Sequence, residues 1–215
     1  NKLLAHLMAG KQLALVSDAG TPLISDPGYR LVLEAKQAGI QAIPIPGACA
    51  LIAALSVAGL PSDCFVFEGF LPVKQSARRQ RLESLQQEHR TLLFYEAPHR
   101  LLACLNDMQA VFGSERQAVI ARELTKLFET VLDGTIADLI AQVSSDANQQ
   151  KGEFVLLIKG ASVAANLADQ NVLHVLKILL RELSLKQAVA LASEITGHKK
   201  NYLYQLALEF SPPRR

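Results

Sequence analysis

The chain lacks tryptophan altogether, and only 6% of its 215 residues are aromatic, so any ring-stacking contact must rest on one or two individual side chains. Cysteine is scarce as well. Cys49, Cys64 and Cys104 are odd in number and far apart, with no Cys-x-x-Cys pair or Cys/His ligand spacing, which argues against a zinc site or a disulfide frame and for reduced thiols in a cytosol. The histidines are scattered and add nothing to a metal case. Charge of one sign is missing too. A formal net charge of +2 does not by itself declare a polyanionic partner, so any such contact must come from local clusters. No uninterrupted apolar run reaches membrane-spanning form. Ile43 to Leu60 carries no charge, but Pro44, Pro46, Gly47 and Gly59 cut it into a short strand, a glycine turn and a buried helix from about Ala48 to Ala58. No stretch of these residues reads as a signal peptide, an internal repeat or a low-complexity segment.

Half of the residues are hydrophobic, enough for one large domain or two small ones. An opening helical pattern, Leu3, Leu4, Leu7 and Met8, leads into the stretch LALVSDAGTPLISDPG. Leu13 to Val16 reads as a short strand that ends abruptly at Ser17-Asp18-Ala19-Gly20 and delivers a long polar loop. That loop is longer than the usual link of about 2–6 residues. In an open α/β sheet, ligands bind outside the carboxyl ends of strands, where such a loop sits. The alternative is a connection whose Asp26 caps the helix from Tyr29 to Ala38. Ile40 to Ile45 reads as a second strand, and Pro46-Gly47-Ala48-Cys49-Ala50 as a second glycine turn at a helix start. The order of strands and helices predicts a largely parallel sheet.

Gly59 to Asp63 reads as a linker. Beyond it, Phe65–Phe70, Thr91–Tyr95, Ala118–Ala121 and Phe154–Lys159 read as strands, and Phe128–Leu132 as an edge strand. The run Lys74, Arg78, Arg79, Arg81 is either the solvated face of a helix or a phosphate-binding surface. Glu96, His99, Glu123 and Lys126 all follow strands and could converge on one cleft. The tail, Asn171–Leu183, Leu185–Ile195 and Lys199–Phe210, reads as three short amphipathic helices. It is helix-turn-helix-like in outline, with charge from His198, Lys199, Lys200, Arg214 and Arg215, or else a packing appendage.

Taken in order, VSDAGTPLISDPGY, PGACALIAALSVAGLPSDCFVFEGFLP, LLFYEAPHR, ARELTKLFE and KGEFVLLI resemble the tetrapyrrole (corrin/porphyrin) methylase superfamily, and within it the enzymes that act on small-subunit ribosomal RNA. The tail resembles their helical C-terminal extension. The resemblance implies an α/β, two-domain tetrapyrrole-methylase-like fold with parallel or mixed sheets: an N-terminal α/β domain over 1–62, a second over 63–162 and a helical extension over 163–215. It implies S-adenosylmethionine as cofactor, transfer of a methyl group to the ribose 2′-oxygen of a cytidine in 16S ribosomal RNA, the small ribosomal subunit as partner, a homodimer and a cytoplasmic setting. Carried over by motif, the cofactor contacts are Val16, Asp18, Ile24, Cys49, Ala50, Glu96 and Leu124, many of them through the backbone.

The family's opening strand, with its Pro-Thr-Pro-Ile-Gly-Asn-like loop, and its Glu-Asp-Thr-Arg segment do not occur here, so the resemblance implies an N-terminally truncated chain. A ribose hydroxyl needs a proton acceptor or a positive charge beside it. Glu96 or Glu123 is the expected acceptor or orienter, with Lys126 or Arg122 stabilising negative charge. Arg78, Arg79, Arg81 and Arg100 are the expected phosphate contacts, and stacking falls to Tyr29, Phe70 or Tyr95. Other readings are methylation of a tetrapyrrole or of a protein on the same fold, or a ligand- or RNA-binding module without catalysis.

Overall fold

The computed structural model describes residues 2–210, with side chains described for all of them but 163–171, 209 and 210. Arg214 and Arg215 lie outside the described residues. Backbone contacts divide the chain into two units, Asn1–Ala161 and Ser162–Arg215.

In the first unit the organising element is a five-stranded sheet of β1 (Phe65–Phe70), β2 (Thr91–Glu96), β3 (Gln117–Arg122), β4 (Thr130–Thr135) and β5 (Phe154–Ile158). Its order is β1-β2-β5-β3-β4. Only β1 and β2 run parallel; the other pairs are antiparallel, so the sheet is mixed. Alternation along each strand divides the core. Leu92 and Phe94 of β2, Ile120 of β3 and Leu156 of β5 face the helices α4 (Gln75–Ser84), α5 (Leu101–Phe112) and α6 (Ile136–Ser145). Leu93, Val119 and Leu157 face the other way, onto Leu51, Ala54 and Leu55 of α3 (Ala50–Val57). Because β2, β3 and β5 are covered on both faces, their sequences run as nearly unbroken apolar stretches. β4 lies at the edge. It ends in Thr135, whose hydroxyl accepts from the Asp138 backbone N–H while the Asp138 carboxylate accepts from the Thr135 N–H, a reciprocal cap that starts α6.

Two expected strands do not form. Neither Leu13–Val16 nor Ile40–Ile45 enters a ladder among the described residues, and Val16 and Ile45 are each 81% exposed. Strand propensity fixes an extended segment only when a neighbour takes its N–H and C=O groups, and the described residues supply none. The parallel sheet expected there is thus replaced by the mixed sheet of residues 65–158. The predicted edge strand is also displaced, from Phe128–Leu132 to Thr130–Thr135. The Phe128 carbonyl accepts from Arg122 Nη1 at 3.0 Å, and the Glu129 carboxylate from the Thr125 N–H at 2.6 Å, so both residues belong to a turn. The same unit contains α1 (Lys2–Met8) and α2 (Tyr29–Gln37).

The second unit contains α7 (Val163–Glu182), α8 (Leu185–Thr196) and α9 (Lys200–Phe210) around Val172, Leu176, Val189, Ala192, Leu203 and Ala207. Gln187 Oε1 takes a hydrogen bond from the Ser184 hydroxyl at 2.6 Å at the start of α8, and Gly197, at φ 71°, turns the chain out of its end.

Candidate active site

The loop after Leu13–Val16 is shaped by its small residues. Ser17 Oγ donates to the Gly20 carbonyl at 2.8 Å, which closes a turn with Asp18 exposed on it. Leu23 and Ser25 adopt positive φ, 73° and 60°, a conformation that costs non-glycine residues energy and gathers at ligand clamps. Gly28, at φ 131°, lets the loop fold back: a Cβ there would lie 3.0 Å from Leu15 Cδ2. The second glycine turn is tied to the first by Thr21, whose hydroxyl donates to the Ala48 carbonyl at 2.9 Å. Ser25 approaches Gly69 at the end of β1, where a Cβ would lie 3.2 Å from Ser25 Oγ. Tyr95 closes the group from β2. Its hydroxyl accepts from the Leu51 N–H at the start of α3 at 3.3 Å, and its ring meets Phe67 edge-on with centroids 4.9 Å apart. Burial raises the Tyr95 pKa, Cys49 and Asp26 add to the rise, and the phenol is therefore neutral. Cys49, Tyr95 and Leu124 pack on the same apolar cluster.

Of the expected cofactor residues, Cys49 and Leu124 are thus brought together, while Asp18 sits on the first turn and Ala50 opens α3. Val16 and Ile24 flank them with exposed side chains. The donor set suits a cofactor that offers an adenosine and an amino acid. It consists of backbone groups at glycine turns, small hydroxyls, an apolar floor and one exposed carboxylate, Asp18, to oppose a cation.

The Glu96 side chain stands apart from this set. Strand alternation turns it to the face opposite Tyr95, where the residue is 2% exposed. There Arg100 Nε lies 3.2 Å from Glu96 Oε1, and Arg100 Nη2 donates to the Leu71 carbonyl at 2.6 Å. The Glu96 carboxylate is therefore a lock on the segment after β1, remote from the Tyr95 side and unsuited to the acceptor role expected of it. Glu123 also differs from expectation. Lys126 Nζ lies 2.9 Å from its Oε1, which also accepts from the Glu153 N–H at 2.9 Å; these bonds hold the Glu123 carboxyl below its usual range and make it a weak base. Lys126 gains from the same bond and from Glu153 Oε2 at 3.0 Å, so its pKa is raised and it stays cationic. Glu123 and Thr125 take positive φ, 51° and 65°, around Leu124.

The expected phosphate contacts are largely spent within the fold. Arg78 is buried and paired with Asp107 at 2.6 Å, Arg79 Nε donates to the other Asp107 oxygen at 2.6 Å, and Arg81 grips Glu68 with two nitrogens. Arg100 is committed to Glu96. Arg78 and Arg100 are corrected to structural roles; Arg79 and Arg81 are half-exposed and keep part of their guanidinium edges in solvent. Sequence reading missed Asp107, because a partner 28 residues away leaves no local signature. It missed the Tyr95 hydroxyl as the acceptor for α3, although the residue's place at a strand end was visible.

The family model for Tetrapyrrole (Corrin/Porphyrin) Methylases matches residues 1–140, and that for the RsmI C-terminal HTH domain matches residues 165–211. A protein of Pseudomonas aeruginosa named ribosomal RNA small subunit methyltransferase I is 57% identical over 97% of this chain and 74% of its own length. Its namesake from Escherichia coli O157:H7 is 53% identical over 96% of this chain and 72% of its own length. Among solved structures, the methyltransferase CobJ is similar with a TM-score of 0.56 at 19% identity, over 74% of this chain and 69% of its own, a likeness of fold. The chain belongs to the tetrapyrrole methylase family, in the branch of the small-subunit ribosomal RNA methyltransferases I.

Proposed function

We propose that this protein transfers a methyl group from S-adenosylmethionine to the ribose 2′-oxygen of a cytidine in 16S ribosomal RNA, acting on the small ribosomal subunit as a cytoplasmic homodimer. The observation that carries this reading is 57% identity, over nearly the whole chain, to a protein named ribosomal RNA small subunit methyltransferase I; the ribose 2′-oxygen and the cytidine are the finer part of the proposal. Among the described residues no helix is long and apolar enough to cross a membrane. The division into modules over 1–62 and 63–162, followed by the helical part over 163–215, belongs to this proposal.

The glycine turns around Asp18 and Cys49, with Ala50 and the backbone at Glu96 and Leu124, would hold the cofactor; Val16 and Ile24 would supply apolar contact. The cofactor supplies an electrophilic methyl group on a sulfonium. The protein's share is alignment, because a weak nucleophile held at near-attack distance gains most from lost translational freedom. Tyr95 fixes the start of α3, and hence the second turn, through the bond to Leu51. Lys126 is the cation suited to negative charge developing on the sugar oxygen, and Glu123, paired with it at 2.9 Å, acts as its positioning residue. Arg79 and Arg81 meet phosphates at the periphery.

The test is incubation of the protein with tritiated S-adenosylmethionine and small subunits from cells lacking the mark. Counts in the RNA fraction support the reading. Binding of the cofactor without transfer supports instead a ligand-binding module, and transfer to a tetrapyrrole or a protein supports another branch of the fold.

A further inference from the structure

Beside the loop that carries Leu124 lies a hollow of about 710 Å³, between the end of β3, the start of β4 and the segment before β5. Its size falls within the roughly 300–1,000 Å³ of small-ligand sites. Phe128 lines it and is 66% exposed, next to Leu127 at 89%. An aromatic ring left in water beside a concavity is an unspent stacking surface.

The floor is Arg122, which is 8% exposed and makes no ion pair among the described residues. Its guanidinium donates to the Lys151 carbonyl at 2.7 Å, the Phe128 carbonyl at 3.0 Å and the Thr130 hydroxyl at 3.2 Å, and its charge also acts on the nearby Glu123 carboxylate. Lys151 brings a second, exposed cation. The two carboxylates on the rim are already engaged, Glu123 with Lys126 and Glu129 with the Thr125 N–H. An exposed cation, Lys151, and an aromatic wall, Phe128, in one hollow suit a nucleotide, since a phosphate answers the cation and a base answers the ring.

One more group points to a base. Gln149 also lines the hollow, and its Oε1 is buried with no hydrogen-bond partner. A carbonyl oxygen closed off without a donor is costly, and the cost is relieved when the amide turns to a donor entering the hollow. An exocyclic amino group, as on cytosine or adenine, is such a donor; uracil has none.

We propose that this hollow binds an unpaired base of the RNA substrate next to the target nucleotide, stacked on Phe128, with its exocyclic amino group on Gln149 Oε1 and its phosphate against Lys151. This rests on the ribosomal RNA reading above and adds a second contact site to it.

The test is fluorescence anisotropy of the full chain with labelled oligocytidine and oligouridine, alongside methylation of small subunits. Wild-type protein is expected to favour oligocytidine. Phe128→Ala should weaken both about tenfold, within the range lost when a base–aromatic stack is removed, and Phe128→Trp should restore binding. Gln149→Leu should erase the preference for oligocytidine while oligouridine binding is unchanged. In the methylation assay both variants should raise KM for small subunits and leave S-adenosylmethionine affinity as it was. Unaltered binding by both variants overturns the proposal while wild-type methylation upholds the ribosomal reading. A change of sedimentation in Phe128→Ala with RNA affinity intact assigns the patch to self-association and also overturns it. If wild-type protein neither binds RNA nor methylates subunits, the ribosomal reading and this proposal fall together.

Discussion

Asp107 shows how a single residue reassigns others. Burial pushes its carboxyl upward, but hydrogen bonds from Arg79, Gln75 and Arg78 outweigh that and hold it below its ordinary value of 3.8. Asp107→Ala leaves the Arg78 charge buried without a partner and should cost about 3–5 kcal/mol in urea unfolding. The sign with pH follows: a lowered carboxyl contributes stability that is complete above its unfolded pKa and is lost as pH falls through the folded one. Wild-type stability should therefore decline below about pH 4 more steeply than that of the variant. The arginine run itself was plain in the sequence, but its destination was not, because charge patterning does not disclose a partner on another helix. At the site, Lys126→Ala should reduce kcat by on the order of 10²-fold, the loss typical of removing one group that stabilises developing negative charge. Cofactor affinity by calorimetry should be kept, and an equal loss in cofactor binding would contradict the role given to Lys126.

Among the elements, β2 is the most informative. Its sequence was legible as a strand over Thr91–Tyr95 because both faces are buried, and the structure carries it one residue further, to Glu96. Period-two alternation then puts the Tyr95 side chain on the α3 face and that of Glu96 on the other. Tyr95→Phe removes the acceptor for the Leu51 N–H and should destabilise the protein by about 1 kcal/mol, with a modest loss of cofactor affinity. A variant with wild-type melting and binding would show that α3 does not depend on that bond. Leu13–Val16 and Ile40–Ile45 carry the same composition signal as β2, yet enter no ladder among the described residues. Hydrophobic run length marks a segment fit to be a strand; a neighbour decides whether it becomes one. The second unit was readable for a different reason. Its helices have amphipathic spacing, with Ser184 and Gly197 at the boundaries, and such local signals survive without knowledge of long-range partners.

For the whole molecule, the loops around Asp18 and Cys49 gather in one unit although their strands do not form. They are held by side-chain-to-backbone bonds such as Thr21 to Ala48. A cofactor that bridges these loops should raise stability by mass action. At a hundredfold excess over Kd the gain is about 2.7 kcal/mol, seen as a rise in Tm with S-adenosylmethionine. Asp18→Ala, which removes the carboxylate proposed to face the cation, should shrink that rise while leaving Tm without cofactor within a degree or so. An equal rise in wild type and variant would remove Asp18 from the site. Family, fold class and the convergence of these loops were legible because five motifs stand in one order; the roles of Glu96 and the arginines were not, because they depend on which face of a strand or helix meets which partner.

The most direct measurement is alkaline hydrolysis of small-subunit RNA after transfer of a tritiated methyl group by this protein, followed by separation of the products. A methylated 2′-oxygen cannot attack its neighbouring phosphate, so the account predicts that the label survives in an alkali-resistant dinucleotide containing cytidine. Label released in a mononucleotide, which would mean methylation of a base, contradicts it.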